Sequence, residues 1–317
     1  PTALQVTGIA PVSPSCVPGN DGTLTVAASG GTPAYQYSNN GGANQNPNVF
    51  NGLGSGVYTI QVTDANGCTQ TSTQTLSAPN APSYTAAAAT DVTCNGGTDG
   101  SVSVTATGGA APISYTIQPT NQTNTTGNFT NLGANTYTIT ATDVAGCSVQ
   151  TILTVNEPSA VQWVSVAGTN ITCNGGTDGT ITASANGGTG AISYTLQPTN
   201  QTNTTGSFTA LGANTYTITA ADANNCSITT TVTITEPTAI QWSSTASVNV
   251  NCNGGTDGTI TVAATGGTGA INYTLQPGNQ TNATGSYTNL GANTYTITAA
   301  DANNCTLSTT ITITEPP

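Results

Sequence analysis

Cys94-Asn95-Gly96-Gly97-Thr98-Asp99-Gly100, running into Ser101-Val102-Ser103-Val104-Thr105-Ala106-Thr107 and closing on Gly108-Gly109, decides the fold of this chain. After the Asp-Gly turn the apolar residues Val102, Val104 and Ala106 alternate with Ser101, Ser103 and Thr105. That period of two is a strand with one buried face, ended by a pair of glycines. The string CNGGTDG opens again at Cys173 and Cys252, and CVPGNDG replaces it at Cys16. The first cysteines are spaced by 78, 79 and 79 residues. A second set, Cys68, Cys147, Cys226 and Cys305, follows them by 52, 53, 53 and 53. Fixed spacing of this kind marks one unit repeated four times.

Reading outward from Cys94, the second repeat contains strand candidates at 84–88, 100–107, 113–118, 128–132, 135–143 and 148–155. Tyr137, Ile139 and Ala141 share one face of their strand, and Thr138, Thr140 and Thr142 the other. A unit of about 79 residues is too long for one turn of a solenoid and suits a small sandwich. The expected fold is therefore all-β: a tandem array of four small immunoglobulin-like or fibronectin-like antiparallel β-sandwich domains. Pro-bearing junctions place them at 1–79, 80–158, 159–237 and 238–317. Pro1-Thr2-Ala3 repeats Pro237-Thr238-Ala239, and the chain closes on Glu315-Pro316, so the array is expected to continue in a longer parent protein. In each repeat a Tyr enters the penultimate strand after a Gly turn: Tyr58, Tyr137, Tyr216 and Tyr295. These are candidates for a tyrosine corner, the alternative being a core ring with a wet tip.

Composition removes whole classes of function. The chain has no Lys, Arg or His, 12 acids and a formal net charge of −12. Without cations it cannot neutralise phosphates, so nucleic acid is not an expected partner. Imidazole acid–base chemistry, Ser-His-Asp triads and Schiff bases are unavailable, and no enzyme is expected. No apolar run approaches the ~20 residues of a membrane span, so membrane insertion is not expected. The absence of Lys and Arg also leaves trypsin-like proteases no site.

Eight cysteines at fixed positions, with no C-x-x-C and no His, read as disulfides rather than zinc. The expected pairs lie within repeats: Cys16–Cys68, Cys94–Cys147, Cys173–Cys226 and Cys252–Cys305. Each would pin two loops at one end of its sandwich and contribute roughly 4 kcal/mol by closing about 53 residues. Bonded cysteines also imply an oxidising, extracellular setting.

The acids are periodic. Asp21, Asp99, Asp178 and Asp257 each precede a Gly, and Asp64, Asp143, Asp222 and Asp301 each lie four residues before the second Cys. If those pairs meet at one pole, with junction Glu nearby, they form a candidate calcium site, the one cofactor these acids suggest. The alternative is that each Asp is a turn-former bonded to its own backbone. Outward Thr stripes, such as Thr231, Thr233 and Thr235, could meet polysaccharide, ice or a lateral neighbour, or could be a plain solvated β-face. Trp163 and Trp242, just past junctions, read as first-strand packing or as a sugar-stacking surface. Asn121 and Asn124 stand in N-x-T sequons.

The string from Cys94 to Gly109, then Ile113-Ser114-Tyr115-Thr116-Ile117-Gln118-Pro119, then Asn135-Thr136-Tyr137 through Gly146-Cys147, resembles the SprB-type repeat of Bacteroidota cell-surface adhesins. All four units match, the first with its CVPGNDG opening. The resemblance implies an exported, gliding-motility-like adhesin at the bacterial cell surface. The expected function is a non-catalytic structural segment, an extended disulfide-stabilised rod whose partners are neighbouring repeats and surface polysaccharide. The alternative is a subunit or segment of a self-assembling extracellular filament or sheath, in which the partner is another copy of the chain.

Overall fold

The computed structural model describes residues 2–317; Pro1, first residue of the expected junction tripeptide, lies outside the described residues. The described residues are all-β, with no helix. In the second repeat the strands are Ser83–Thr90, Gly100–Thr107, Ser114–Gln118, Gln122–Asn124, Asn128–Leu132, Asn135–Thr142 and Ser148–Val155. They form two antiparallel sheets. Gly100–Thr107 pairs with Ser83–Thr90 on one side and with Asn128–Leu132 on the other. The second sheet runs Gln122–Asn124, Ser114–Gln118, Asn135–Thr142, Ser148–Val155. A three-stranded sheet faces a four-stranded one, the arrangement of immunoglobulin-like and fibronectin-like sandwiches.

The alternation seen in sequence is the packing rule. Val102, Val104 and Ala106 from one sheet bury against Ile117, Tyr137, Ile139 and Ala141 from the other, with Phe129 and Leu132 closing the side. Ser and Thr on the reverse positions stay at the surface or half-buried. Repeats three and four reproduce both sheets and have cores centred on Ile181 and Ile218, and on Ile260 and Ile297. The first repeat centres on Leu24, Val26 and Ile60 and has three strands in each sheet. A single bridge, Tyr37 to Gln45, stands where the others carry a short strand.

That short strand is the element the sequence pattern does not show. Gln122–Asn124 is three polar residues at a sheet edge, paired with Tyr115–Ile117. It has no apolar face to alternate, yet it reverses the chain once more. The chain groups into two compact units, Pro1–Pro158 and Ser159–Pro317, each holding two repeats.

Candidate functional site

Because strands run pole to pole, the number of strands between two loops decides whether they share a pole. Five separate Cys94 from Cys147: Gly100–Thr107, Ser114–Gln118, Gln122–Asn124, Asn128–Leu132 and Asn135–Thr142. The odd count puts the two cysteines at opposite ends. The Cys94 loop lies beside the end of the last strand, where Val92 N donates to Asn156 O and Gly96 N to the Glu157 carboxylate. The Cys147 turn lies at the other end, where Val144 N donates to Ala110 O. An eight-residue strand at 3.3 Å per residue sets the poles about 25 Å apart, whereas a disulfide requires Cα atoms within about 7 Å.

The expected pairs within repeats are therefore corrected. Cys16 is bonded to Cys147, with Cα atoms 5.6 Å apart and 131 residues between them in sequence. Cys173 is bonded to Cys305 at the same 5.6 Å and a separation of 132. Each bond joins the first cysteine of one repeat to the second cysteine of the next. Cys94 is also disulfide-bonded, and so is Cys226. Cys68 and Cys252, expected to be bonded, are free thiols and exposed.

The junction around each bond is built from backbone and short polar side chains. In the unit holding the third and fourth repeats, Gly175 N donates to Glu236 Oε2 at 2.6 Å and Asn174 Nδ2 to Pro237 O at 3.1 Å. From the far side, Asn303 Nδ2 donates to Thr172 O at 3.4 Å, and Gly267 N to Thr238 O at 2.8 Å. A cavity of about 360 Å³ lies there, lined by Cys173, Asn174, Pro237, Ile240, Asp301 and Cys305 among others. In the other unit Val17 N donates to Pro79 O at 3.1 Å, and Cys147 Sγ lies 3.3 Å from Ser15 O. The Asn of the other three openings is Val17 here, and its backbone amide makes the junction bond.

The same strand count separates the two Asp of the second, third and fourth repeats, and in the first the segment bridged at Tyr37–Gln45 takes the place of the short strand. Asp21, Asp99, Asp178 and Asp257 sit at the pole of the first cysteine. They accept backbone N–H bonds from Ser15, Thr93, Thr172 and Asn251, bracing the loop before each Cys. Asp64, Asp143, Asp222 and Asp301 are buried at the opposite pole. Asp143 Oδ2 accepts Ala110 N at 2.8 Å, and its Oδ1 accepts Cys147 N at 2.9 Å. Asp301 repeats this with Thr268 N and Cys305 N, and Asp64 with Thr32 N and Cys68 N. The donated backbone N–H groups hold these carboxyls below the usual carboxylate range, Ala110 most strongly for Asp143 and Thr268 for Asp301, with burial acting against them. Among the described residues no three His, Cys, Asp or Glu side chains come together.

Tyr58, Tyr137, Tyr216 and Tyr295 each donate the phenol O–H to the carbonyl four residues upstream, on Gly54, Gly133, Gly212 and Gly291, at 2.8 to 3.0 Å. Trp163 and Trp242 lie half-buried on first strands, their rings 6.3 and 6.2 Å from those of Tyr194 and Tyr273. Thr on the outer sheet face pairs across strands, Thr215 with Thr233 and Thr294 with Thr312, at 3.0 Å between hydroxyls.

The family model of the SprB repeat matches residues 8–44, 86–122, 165–201 and 244–280. No curated protein matches the chain in sequence. Among solved structures, the eight N-terminal immunoglobulin domains of Down Syndrome Cell Adhesion Molecule are 15% identical, with a TM-score of 0.38 over 100% of this chain and 49% of that one. This chain thus spans about half the length of that structure. Titin domains I67–I69 are 13% identical, with a TM-score of 0.38 over 74% of this chain and 99% of theirs. A Ca2+-stabilized adhesin with which an Antarctic bacterium binds ice is 17% identical, with a TM-score of 0.37 over 99% of each chain.

Proposed function

From a chain that carries four SprB repeats, we infer a non-catalytic structural segment of an exported bacterial cell-surface adhesin, a load-bearing stalk rather than a binding tip. The observation that carries this reading is the stagger of the disulfides. A bond closed inside a domain stabilises that domain, whereas a bond from each repeat to the next carries tension across the junction. Cys16–Cys147 and Cys173–Cys305 are of the second kind. The composition fits the same role: no imidazole, no cation, and no tryptic site along an exposed fibre. Among the described residues no helix is long and apolar enough to cross a membrane.

In this reading the four repeats at 1–79, 80–158, 159–237 and 238–317 are sandwich domains in single file, outside the cell. Their partners are neighbouring repeats and, through the Thr faces, surface polysaccharide. Antibodies against this segment should label intact cells of the source bacterium, and X-ray scattering of the purified chain should give a particle much longer than it is wide. Labelling only after lysis, or a compact particle, contradicts the reading.

A further inference from the structure

We propose that Asn40 is a site of spontaneous covalent modification, an Asn-Gly pair that closes to a succinimide and opens to isoaspartate. Asn95, Asn174 and Asn253 carry the same pair and are held back from this reaction by a glutamate of their own repeat. The proposal goes beyond the stalk reading and stands or falls without it.

An Asn-Gly pair reacts when the glycine nitrogen attacks the asparagine Cγ, a step that a side chain on the second residue would crowd. Gly41 N gives up its proton and bonds to Asn40 Cγ, the Cγ–Nδ2 bond breaks, and the amide leaves with that proton as ammonia. Water then opens the ring at either carbonyl, leaving aspartate or isoaspartate. Nothing is oxidised or reduced. The one co-reactant is water, which the exposed pair meets directly.

The chain has seven Asn-Gly pairs, and the structure sorts them. Asn51 and Asn186 lie in strands Val49–Leu53 and Gly179–Asn186. After Asn66, Gly67 N is engaged, donating to Asp64 O at 3.0 Å. The other four are alike in backbone and in access. Gly41, Gly96, Gly175 and Gly254 have φ between +72° and +75°, and the space beside each Cα is open. All four pairs are exposed. What separates Asn40 from the three junction pairs is the partners of the reacting atoms.

At the junction pairs both the nucleophile and the leaving group are tied. Gly96, Gly175 and Gly254 N donate to the Oε2 atoms of Glu157, Glu236 and Glu315 at 2.7, 2.6 and 2.7 Å. The Nδ2 atoms of Asn95, Asn174 and Asn253 donate to Pro158, Pro237 and Pro316 O at 3.0, 3.1 and 3.2 Å. To attack, the glycine nitrogen must lose its proton, and the anion so formed would face a carboxylate. Giving up a hydrogen bond to a charged acceptor slows the step by roughly 10- to 100-fold.

Asn40 has the opposite arrangement. Among the described residues Gly41 N has no hydrogen-bond partner, so the nucleophile is unencumbered. Asn40 Oδ1 accepts Thr59 N at 2.8 Å, which draws electrons from Cγ and stabilises the oxyanion that forms as the nitrogen adds. The consequence for the fold is local. Asn40 N donates to Thr59 O at 2.9 Å, closing the pairing of Gln36–Asn39 with Gly56–Thr63. In isoaspartate the main chain runs through the side chain, so that closing bond is lost and this edge of the first repeat loosens.

The test uses the purified 317-residue chain with its internal bonds intact. The chain is aged in mildly alkaline buffer, digested with pepsin in acid, and read by mass spectrometry that separates aspartate from isoaspartate. Asn40 should lose its amide at least ~10-fold faster than Asn95, Asn174 and Asn253, with isoaspartate among its products. Glu157→Ala should speed Asn95 by a similar factor and leave Asn174 and Asn253 of the same molecules as slow as before, with circular dichroism unchanged. Reduced and denatured, the chain should modify all four pairs at similar rates. An Asn40 no faster than the junction pairs in the folded chain overturns the proposal. So does an Asn40 equally far ahead in the denatured chain, which places the cause in the local sequence. Aspartate as the sole product at Asn40, the outcome of direct hydrolysis, overturns the succinimide route, and an Asn95 that stays slow in Glu157→Ala overturns the role given to the glutamate.

Discussion

Cys173 and Cys305 belong to successive repeats and lie 132 residues apart in sequence, yet their Cα atoms are 5.6 Å apart and their sulfurs are bonded. Cys16 and Cys147 stand in the same relationship. The covalent path through the molecule therefore has a shortcut past most of the residues of each compact unit. A chain pulled from its ends carries load along residues 1–16, across one bond to 147–173, and across the other to 305–317.

This path has a mechanical consequence. Fully extended at about 3.5 Å per residue, the reduced chain reaches at most ~1,100 Å. With both bonds intact only about 56 residues lie in the load path, so the extension stops near ~200 Å. Single-molecule pulling with and without reductant should show this roughly fivefold difference. Equal extensions in the two conditions contradict the staggered pairing.

Two tyrosines in the second repeat should respond differently to loss of a hydroxyl. Tyr137 donates to Gly133 O at 2.9 Å, at a partly buried site where water can replace the phenol. Tyr115 accepts from Ala106 N at 3.0 Å inside the core. Tyr137→Phe should cost about 0.5–1.5 kcal/mol, the net worth of one hydrogen bond, while Tyr115→Phe strands a buried N–H and should cost about 1–3 kcal/mol. Thermal melts of a chain carrying each variant check the order.

The Asp143 turn should fail before the strands around it. Its carboxylate holds Ala110 N and Cys147 N, joining the turn before the last strand to the turn after the second. Asp143→Ala should lower the melting temperature, and Asp143→Asn, which keeps an acceptor oxygen, should lower it less. Hydrogen exchange should quicken first at the amides of Ala110 and Cys147. Unchanged protection there contradicts the role assigned to the carboxylate.

Acid should destabilise the molecule in a narrow window. The buried Asp64, Asp143, Asp222 and Asp301 and the loop-bracing Asp21, Asp99, Asp178 and Asp257 all have carboxyls held below the ordinary value of 3.8. A carboxyl whose folded value is lowered contributes stability that is fully present above the unfolded value and is lost as pH falls through the folded one. With no His or Lys to titrate, the melting temperature should be level between about pH 5 and pH 8 and fall below about pH 4. A decline that begins near pH 6 contradicts this assignment.

The all-β class was legible because the buried face is written at period two. Val102, Val104 and Ala106, and Tyr137, Ile139 and Ala141, are buried as the alternation requires. The pairing of the cysteines was not, and the cause is one short element. Gln122–Asn124 is an edge strand held by backbone bonds to its neighbour, with no apolar residue to announce it. Without it four strands separate Cys94 from Cys147 and the two share a pole; with it there are five and they do not. The placement of Asp99, Asp143, Asp178, Asp222, Asp257 and Asp301 follows from the same count, and that of Asp21 and Asp64 from the segment bridged at Tyr37–Gln45, so one missed reversal moved both the disulfides and the acids. The signal that could have corrected it is Pro119-Thr120-Asn121: Asn121 has φ +56°, a turn tight enough to reverse the chain at once.

The central claim is that repeats are tied to their successors. Proteolysis of the unreduced chain with pepsin, which does not depend on basic residues, followed by mass spectrometry of linked peptides, tests it most directly. The account predicts peptides joining Cys16 to Cys147 and Cys173 to Cys305. Peptides joining Cys16 to Cys68, or Cys252 to Cys305, would contradict it.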